Sequence, residues 1–495
     1  MSRINTNVQS LIARRALNLN NGSLNQALER LSSGLRINTG RDDPAGLIAS
    51  ETLRSNIRAI DSAIDNATRA DTIVAVAEGG LQEVSTLLLE LENLIDQTAN
   101  TAGLTPEEIS ANQLQIDSIL ASINRLAEAT AFGNKKLLNG NLDFTTSGVN
   151  INESTGAATN HLQRVQINSA KIPAGSFRQV TVNVVAPSKI AVASSVLAGT
   201  NGSGVLNSTL KGATTIQIRG NLGSDTLSFA SGTSAATIAS AIRASSKLTG
   251  VSATASAASG GAASLVFQST AFGGDQFVSV SILSNTGAFV SQAAEVSKNG
   301  VNGTITINGS NAVVKGLDAA VNTASLSVNL TLTSQLGGGA AGGSTSFEIK
   351  GGGAVFSISP TVGLSGQEAI GVGEVSTGKL GNSGVGFLAS LGTGLSNDLA
   401  SKNFTSAQGI VRAAVNQVAT LRGRLGGFQK NTLSTTINSL RVARENITAA
   451  ESAIRDADFA SETSSLTRAQ ILVASSTQVL QLANTQPQNV LSLLG

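Results

Sequence analysis

The chain has 495 residues, enough for several domains, and its 33 basic and 31 acidic side chains give a formal net charge of +2. This balance gives no electrostatic reason to expect a nucleic-acid or anionic-membrane partner. The sequence has no cysteine, which excludes disulfides and thiolate catalysis, and its one histidine, His161, leaves a single imidazole for acid–base chemistry. The first residues lack the regions of a secretory signal, and no run approaches 18 apolar residues, so neither a cleaved signal nor membrane insertion is expected.

Residues 1–139 are predicted to form helices that pack as coiled coils, because charged residues alternate with apolar residues at heptad spacing. The first helix has a 4-3-4 spacing of leucines at Leu24, Leu28, Leu31 and Leu35. The same spacing over about 52–99 predicts a second helix, with core positions that include Ile57, Ile60, Ile64, Val84, Leu88, Leu91 and Ile95. Neither helix can bury its apolar stripe alone.

A break between these helices is predicted in the segment TGRDDPAG, residues 39–46. Gly40 is expected to end the first helix, Asp42 and Asp43 to cap the second, and Pro44 to occupy its first turn. The two aspartates could instead be a carboxylate pair for metal or acid–base chemistry, although capping is the simpler interpretation beside a proline. A further helix is predicted to begin after Thr105, in a capping-box sequence.

The segment TLLLELENLIDQ, residues 86–97, has more leucine than one buried stripe requires. On a helical wheel Leu87 and Leu94 fall on a flank of their own, beside Glu90 on the outward side. A second leucine row is what a helix needs when it packs inside its own subunit and also against the next subunit. The alternative is a wider core within one subunit.

Residues 140–404 are rich in Gly, Ser, Thr, Ala and Val, and they alternate apolar and polar residues as strands do. At least nine segments have this pattern, from VQINSA near the start to TSFEIKG near the end, with Gly-rich turns between them. One helix is predicted at Ser234–Ser245. We expect small β-rich domains, and two subdomains, one of them around 190–295.

The C-terminal part, from about 405, returns to heptad spacing. Its predicted core positions include Leu421, Leu425, Ile437, Leu440 and Ile447, and a last helix is expected from about 461 to near Gln486–Pro487. The economical arrangement packs the two ends of the chain against each other. The predicted fold class is therefore α+β and multidomain, with paired terminal helices in a coiled coil or bundle and a large central β-rich insertion.

No segment predicts an enzyme or a cofactor site. The glycine run at 337–342 formally matches GxGxxG, but a strand-like segment follows it instead of a helix. The zinc-protease pattern HExxH is absent. We expect no catalytic residues, no metal and no cofactor.

The two ends resemble the bacterial flagellins. RINTNVQSLIARRALN at the start, LERLSSGLRINTGRDDPAGL at 28–47, RENITAAESAIRDADFASETSSLTRAQIL at 444–472 and the final ANTQPQNVLSLLG are similar to the terminal signatures of that family. The resemblance covers 1–139 and about 405–495. It implies a structural protomer that polymerises head-to-tail into the flagellar filament for motility. The alternative is a hook–filament junction protein, which has flagellin-like ends.

The resemblance also implies a layered domain organisation. Residues 1–45 with 455–495 would form an inner, channel-lining coiled coil, 46–139 with 405–454 a second helical layer, and 140–404 the variable outer region. The implied inner-core heptad positions are Leu24, Leu28, Leu31, Leu35, Val479, Leu482, Val490, Leu491 and Leu494.

The partners that the resemblance implies are other copies of the chain, an export chaperone at the C-terminal segment, and the filament cap and hook-associated proteins. The protomer would be exported without a cleaved signal and would be extracellular, in the flagellum. Flagellins sensed by a Toll-like receptor of animal hosts have basic residues at the positions of Glu90 and Glu92 and an acid at Asn93, and the acidic contact of the next helix aligns with Gln115. Since the charges differ, we expect weak recognition by that receptor.

Overall fold

The computed structural model describes residues 6–100, 103–149, 161–173, 176–196, 209–210, 212–257, 263–285, 295–339, 341–382 and 384–494. Long helices form the two ends of the chain and strands fill the middle, which confirms the predicted α+β fold. The backbone divides into two compact units. Unit 1 is Met1–Val74, Ser357–Gly366 and Leu425–Gly495, and unit 2 is Ala75–Phe356 and Gln367–Arg424. The predicted three-part division has other boundaries and stays a prediction.

The helices lie mostly at the ends of the chain. They are α1 (Val8–Ser33), α2 (Pro44–Thr98), α3 (Pro106–Ala129), α4 (Ala235–Ala244), α5 (Ser246–Thr249), α6 (Ser334–Gly337), α7 (Phe404–Gly427), α8 (Ser434–Arg455) and α9 (Phe459–Leu494). A π-helical turn at Phe428–Leu433 joins α7 to α8. Short 3-10 turns occur at Leu364–Gly366, Leu388–Leu391 and Leu399–Ser401.

The break between α1 and α2 begins earlier than the sequence predicted. Helix α1 ends at Ser33, and Gly34 takes the left-handed conformation with φ 72°, so Gly34 and not Gly40 ends the helix. The observed roles of Asp42 and Asp43 are closer to the predicted ones. Asp42 accepts hydrogen bonds from the backbone N–H groups of Asn38 and Thr39 within the connector. Asp43 accepts the N–H of Gly46 at 2.9 Å, as a capping residue does, and α2 starts at Pro44.

Two other helix boundaries show where local signals suffice and where they fail. At the start of α3, Thr105 accepts the N–H of Glu108, and the Glu108 carboxylate accepts the N–H of Thr105, which is the expected capping box. At the C-terminus, α9 continues past Pro487 to Leu494, although the sequence predicted an end near 486. A proline inside a helix removes one backbone hydrogen bond but keeps a helical φ, so it does not by itself end the helix.

In unit 1, α1 and α9 pack side by side and antiparallel, since Asn7 bonds the carbonyl of Ala483 while Arg30 pairs with Glu462. The connectors beyond these helices also pair. The N–H of Arg36 donates to the carbonyl of Arg455 at 2.7 Å, and the N–H of Ala457 donates to the carbonyl of Gly34 at 2.9 Å. The break after α1 and the break between α8 and α9 therefore lie side by side.

In unit 2, the second half of α2 lies beside α3 and α7. The apolar faces of the three helices are buried, at Leu81, Val84, Leu88, Leu91, Ile95, Ile116, Ile123, Ile410, Val411 and Val418. Side-chain amides of α3 and α7 hold the returning chain: Gln113 bonds the carbonyl of Leu391 and the N–H of Leu399, and Gln417 accepts the N–H of Gly381.

Several strands of the β-rich region alternate in burial as their sequences predicted, among them those at 178–186 and 214–220. The first five strands are β1 (Ala131–Phe132), β2 (Lys135–Lys136), β3 (Phe144–Ser147), β4 (Leu162–Ala170) and β5 (Arg178–Ala186). The next seven are β6 (Val192–Val196), β7 (Thr214–Gly220), β8 (Ser224–Phe229), β9 (Val251–Ala257), β10 (Ala263–Ser269), β11 (Phe277–Asn285) and β12 (Glu295–Asn299).

The chain returns through ten further strands. They are β13 (Thr304–Ile307), β14 (Ser310–Asn311), β15 (Val313–Lys315), β16 (Asp318–Asn322), β17 (Leu326–Leu332), β18 (Ser344–Gly352), β19 (Ala354–Ser357), β20 (Gln367–Ile370), β21 (Gly381–Asn382) and β22 (Gly386–Phe387).

These strands build two β-rich subdomains, each with its own core. The base subdomain contains the sheets β14-β13-β5-β18-β3 and β15-β16-β17-β4, with Phe347 and Leu162 in its core. The inserted subdomain, 189–300, contains the sheets β12-β11-β7-β8 and β6-β10-β9 and helix α4, around Phe267 and Ile238. Its entry and exit meet where Lys189 and Val301 exchange backbone hydrogen bonds of 2.8 and 3.0 Å.

Candidate assembly surface

The contact between α1 and α9 follows a heptad seam, whose members are buried or half-buried while their neighbours along each helix are mostly exposed. On α1 the seam is Ser10, Ala13, Leu17, Asn20, Leu24, Ala27 and Leu31, and on α9 it is Glu462, Leu466, Ala469, Val473, Ser476, Leu480 and Ala483. The fully buried members are alanines: Ala13, Ala27, Ala469 and Ala483. Small residues on the seam let the two helices approach closely.

The outer faces of the same two helices carry large apolar side chains that the protomer leaves exposed. On α1 these are Val8, Leu11, Ile12, Leu19 and Leu28, with exposed fractions of 46–64%. On α9 they are Phe459, Ile471, Leu472, Val479 and Leu482, with exposed fractions of 45–68%. We call these ten residues the inner apolar surface, after the inner layer that the sequence analysis predicted for this helix pair. Their clustering on one helix pair is unlike the scattered single exposures of ordinary surfaces, and it marks an interaction site.

The structure places the predicted inner-core heptad residues on two different faces. Leu24 and Leu31 lie on the seam and are half-buried, and Leu35 is half-buried in the connector. Leu28, Val479 and Leu482 lie off the seam, on the inner apolar surface. The side chains of Val490, Leu491 and Leu494 lie outside the described residues. Within one protomer only part of the predicted set lies on the seam, whose buried members are alanines, and the role of the set in an inner core stays a prediction.

Most of the predicted second-layer core residues on α2 and α7 are buried, whereas those on α8 are only half-buried. Ile60, Val84, Leu88, Leu91, Ile95, Leu421 and Leu425 are buried within the protomer. Ile57 and Ile64 are half-buried, and so are Ile437, Leu440 and Ile447 on α8, a helix without a buried residue. The apolar face of α8 is thus only partly covered by its own chain.

The surplus leucines of α2 differ from one another in exposure. Leu94 is 8% exposed, so its side chain already lies in the core of the protomer, as the alternative interpretation of a wider core has it. Leu87 is half-buried. Leu89, which the helical wheel did not single out, is 50% exposed. A contact with a neighbouring protomer has more surface to use at Leu89 than at Leu94.

Acidic residues of α2 pair with basic or amide side chains of the C-terminal helices in both units. In unit 1 the pairs are Glu51–Arg455 at 2.9 Å, Asp61–Arg444 at 2.8 Å and Asp71–Gln429 at 3.2 Å. In unit 2 they are Glu92–Arg412 at 2.8 Å, Asp96–Gln408 at 2.8 Å and the longer Glu78–Arg422 at 4.0 Å. Within each unit, acidic residues further along α2 pair with residues that come earlier in the C-terminal helices. The paired helices therefore run antiparallel.

The residues that the sequence analysis aligned with receptor-contact positions differ in their exposure and in their partners. Glu90, Asn93 and Gln115 are exposed. The carboxylate of Glu92 accepts a hydrogen bond from Nε of Arg412, and this bond raises the pKa of Arg412. Sequence reasoning missed this ion pair, because nothing in the local sequence showed which C-terminal residue would lie opposite Glu92.

The junction between α7 and the β-rich region contains a desolvated pair of opposite charges. Arg424 donates to the carbonyl of Gly371 at 2.9 Å, and burial lowers its pKa to about 10 while the charge of Asp143 opposes that shift. Asp143 is exposed as a residue, yet desolvation of its carboxyl raises its pKa, against the N–H of Phe144 and the charge of Arg424. No local sequence pattern indicated this junction.

The described residues contain no group of three or more His, Asp or Glu side chains placed to hold a metal ion. Asp42 and Asp43 are engaged with backbone N–H groups, which favours their structural interpretation. One helix, α2, has an 18-residue window with a mean hydropathy of 1.2, long and apolar enough by composition to cross a membrane. Core helices of globular proteins pass the same test.

Comparison with known proteins assigns the two helical ends. The family model for the bacterial flagellin N-terminal helical region matches residues 4–143, and the model for the C-terminal helical region matches residues 408–494. Flagellin E of Vibrio cholerae is 39% identical over 177 residues, which is 36% of this chain and 46% of the relative, so this match spans about half the relative's length.

Other relatives match from end to end at lower identity. Flagellin A of Vibrio anguillarum is 28% identical over 99% of both chains, and a flagellin of Salmonella choleraesuis is 29% identical over 99% of both. Among solved structures, the D2-D3 domains of the flagellar cap protein FliD from Escherichia coli match 38% of this chain with a TM-score of 0.25 and 15% identity. With both terminal models in order and flagellins matching along the whole length, the chain belongs to the bacterial flagellin family, a family of structural proteins of the flagellar filament.

Proposed function

We propose that this chain is the protomer of a helical flagellar filament for motility, and that it polymerises head-to-tail through the inner apolar surface of α1 and α9. The observation that carries the proposal is the exposure of ten large apolar side chains on one helix pair. Fully burying such a side chain contributes about 1.5–3 kcal/mol. Covering ten that are roughly half exposed would contribute on the order of 10 kcal/mol before the entropy of association is subtracted.

The arrangement of the chain supports an open polymer instead of a closed dimer. Surfaces that meet a different surface on the next copy propagate into helical filaments unless the rotation closes a ring. Helix α8, which has no buried residue, and Leu89 on α2 offer further surfaces outside the α1–α9 pair. In this proposal residues 1–45 with 455–495 form the inner layer, 46–139 with 405–454 the second layer, and 140–404 the outer region.

Polymerisation of the purified chain tests this function. Monomer is seeded with short filament fragments or brought to high ammonium sulfate, and sedimentation and electron microscopy follow the product. We expect long tubes of uniform diameter above a critical concentration. A matched preparation that lacks the segment 459–494 should stay monomeric, because half of the inner apolar surface is gone. A full-length chain that stays monomeric in both conditions contradicts the proposal.

The remaining partners belong to the same proposal. The protomer would be exported to the extracellular flagellum without a cleaved signal, would bind an export chaperone through about 455–495, and would meet cap and hook-associated proteins at the filament ends. The exposed apolar residues of α9 are the kind of surface that a chaperone covers before assembly. Mass spectrometry of the assembled protein tests the export route, since an intact N-terminus is expected.

Recognition by the Toll-like receptor is proposed to be weak. Glu90 is exposed and carries negative charge where the receptor-sensed flagellins have a basic residue, and Glu92, paired with Arg412, supplies no positive charge at the second position. Reporter cells exposed to purified monomer should respond weakly, and the variant Glu90→Arg/Glu92→Arg/Asn93→Glu should respond more strongly. Strong activation by the parent monomer at low concentration contradicts this part of the proposal.

A further inference from the structure

The seam between α1 and α9 contains one asparagine among its apolar residues. Asn20 lies between Leu17 and Leu24 on the seam and donates through Nδ2 to Oγ of Ser476, a seam residue of α9, at 2.6 Å. The same Nδ2 lies 3.4 Å from the carbonyl oxygen of Leu472. Between Ala13 and Leu31 it is the one polar residue on the α1 side of the seam.

The apolar members of the seam cannot set the register by themselves. Both sides consist mainly of alanine and leucine at heptad spacing, so a slip of one heptad would again place apolar residues opposite apolar residues. The partner of Asn20 responds differently to such a slip. A shift of seven residues in either direction replaces Ser476 by Ala469 or Ala483, and neither alanine side chain can form a hydrogen bond. A slip therefore leaves the amide of Asn20 without its side-chain partner inside the seam.

Other polar contacts join the two helices near the ends of the seam. Oγ of Ser10 donates to Oδ1 of Asn484 at 2.7 Å, and Nδ2 of Asn7 donates to the carbonyl of Ala483 at 2.8 Å. At the other end Arg30 pairs with Glu462 at 3.2 Å. A slip does not remove these contacts in the same way. Residue 477, seven residues from Asn484, is a threonine whose hydroxyl can bond Ser10, and Asn7 bonds a backbone carbonyl, which every residue offers. A partly exposed ion pair such as Arg30–Glu462 contributes little.

We propose that Asn20 and Ser476 are the register-determining pair of the inner helices, in the same way that a single polar seam residue fixes register in coiled coils at some cost in stability. The proposal rests on the proposed filament function, because the two helices come from opposite ends of one chain and must pair in one register for every protomer to present the same surface. Loss of the pair keeps the helices together but allows slipped pairing.

Cysteine cross-linking reads the register directly, since the chain has no cysteine of its own. The reporter for the observed register is Ser10→Cys/Asn484→Cys, whose parent side chains are in hydrogen-bond contact. The reporter for a one-heptad slip is Ser10→Cys/Thr477→Cys, because residue 477 lies seven residues, about 10 Å along the helix, from residue 484. Each reporter is placed in three backgrounds: the parent, Asn20→Leu/Ser476→Leu, and the control Asn21→Leu, an exposed asparagine beside the seam.

Filaments and unassembled chains are oxidised separately, and the intrachain disulfide is quantified by non-reducing mass spectrometry. We expect the first reporter to cross-link in the parent and control backgrounds and the slip reporter to stay reduced there. In Asn20→Leu/Ser476→Leu the yield of the slip disulfide should rise at least tenfold. A double-leucine variant that forms only the first disulfide, at the parental yield, overturns the proposal.

The same samples separate this proposal from the proposed function. Failure of the parent to polymerise contradicts the filament function, whereas the register is read from a bond within one chain and does not need the filament. Absence of the first disulfide from the parent in both states overturns the register proposal, even if filaments form.

Discussion

The helical ends and the β-rich region of this chain differ in how they bury their apolar side chains. The two β-rich subdomains close their own cores, and Phe267 and Phe347 are almost fully buried. The α1–α9 pair buries alanines on its seam and leaves leucine, isoleucine and valine side chains on its outer face. The β-rich region can therefore be stable as a protomer, whereas the helix pair leaves many large apolar side chains unburied within one protomer.

This difference separates stability from assembly within one chain. Changes in the β-rich cores should alter folding and leave polymerisation largely intact, while changes on the inner apolar surface should do the reverse. Helix α2 lies between these cases, because Leu91 is buried in the protomer and Leu89 on the same helix is exposed.

The largest effect is expected from charge on the inner apolar surface. Ile471→Glu/Leu472→Glu should raise the critical concentration for polymerisation at least 100-fold, because burying an unpaired carboxylate is strongly unfavourable. Sedimentation of filaments measures this. Gln470→Glu/Gln478→Glu adds the same charges at exposed polar positions of α9 and should polymerise much better. If the Ile471→Glu/Leu472→Glu variant polymerised at the critical concentration of the parent, the inner apolar surface would not be the assembly surface.

A cavity in the inserted subdomain should affect folding alone. Phe267→Ala should cost about 3–5 kcal/mol of local stability, because the side chain is 1% exposed within the core. Hydrogen exchange of β7, β10 and β11 measures the loss, and electron microscopy should still show filaments. The control Phe177→Ala, at a side chain that is 55% exposed, should change stability by less than about 0.5 kcal/mol. Loss of filaments in Phe267→Ala would show that the two regions are coupled.

Substitutions of Leu91 and Leu89 on α2 should distinguish burial within the protomer from burial between protomers. Leu91→Ala should destabilise the monomer by about 2–5 kcal/mol, since its side chain is fully buried. Leu89→Ala should leave monomer stability nearly unchanged and raise the critical concentration about tenfold if Leu89 packs against the next protomer. Urea unfolding followed by circular dichroism suits this chain, which has no Trp or Tyr. Equal effects of both changes on the monomer would contradict the assignment.

The smallest effect is expected from pH at the junction of α7 and the β-rich region. Desolvation raises the pKa of Asp143 above its ordinary value of 3.8, so the folded state favours the protonated carboxyl. Its contribution to stability is therefore present below pH 3.8 and is lost as the pH rises from 3.8 through the raised folded pKa. The melting temperature of the parent minus that of Asp143→Asn should fall over this interval. A difference that rises with pH would contradict the sign.

Sequence patterns predicted the elements whose signals are local. The alternation in VQINSA and in the later segments identified strands, and Thr105-Pro106-Glu107-Glu108 identified a helix start with its capping box. Heptad spacing found the long helices as well. It did not tell which apolar residues face the partner helix within the protomer: Leu28, which shares the 4-3-4 spacing of Leu24 and Leu31, is 46% exposed.

Long-range pairings could not be predicted in the same way. Glu92 and Arg412 are 320 residues apart in the chain and Asn20 and Ser476 are 456 apart, and each pairing depends on how the ends of the chain align. The junction of Arg424 with Gly371 had no local signal either, since a carbonyl partner is available at every residue.

By itself the sequence determined the class of the protein, the helical ends with their break near residue 40 and the β-rich middle, because periodicity and capping are properties of neighbouring residues. The tertiary structure decided which apolar stripe is buried in the protomer and which is left exposed. That choice depends on side-chain size across the seam: small alanines allow α1 and α9 to approach, and the larger apolar side chains on the outer faces remain exposed.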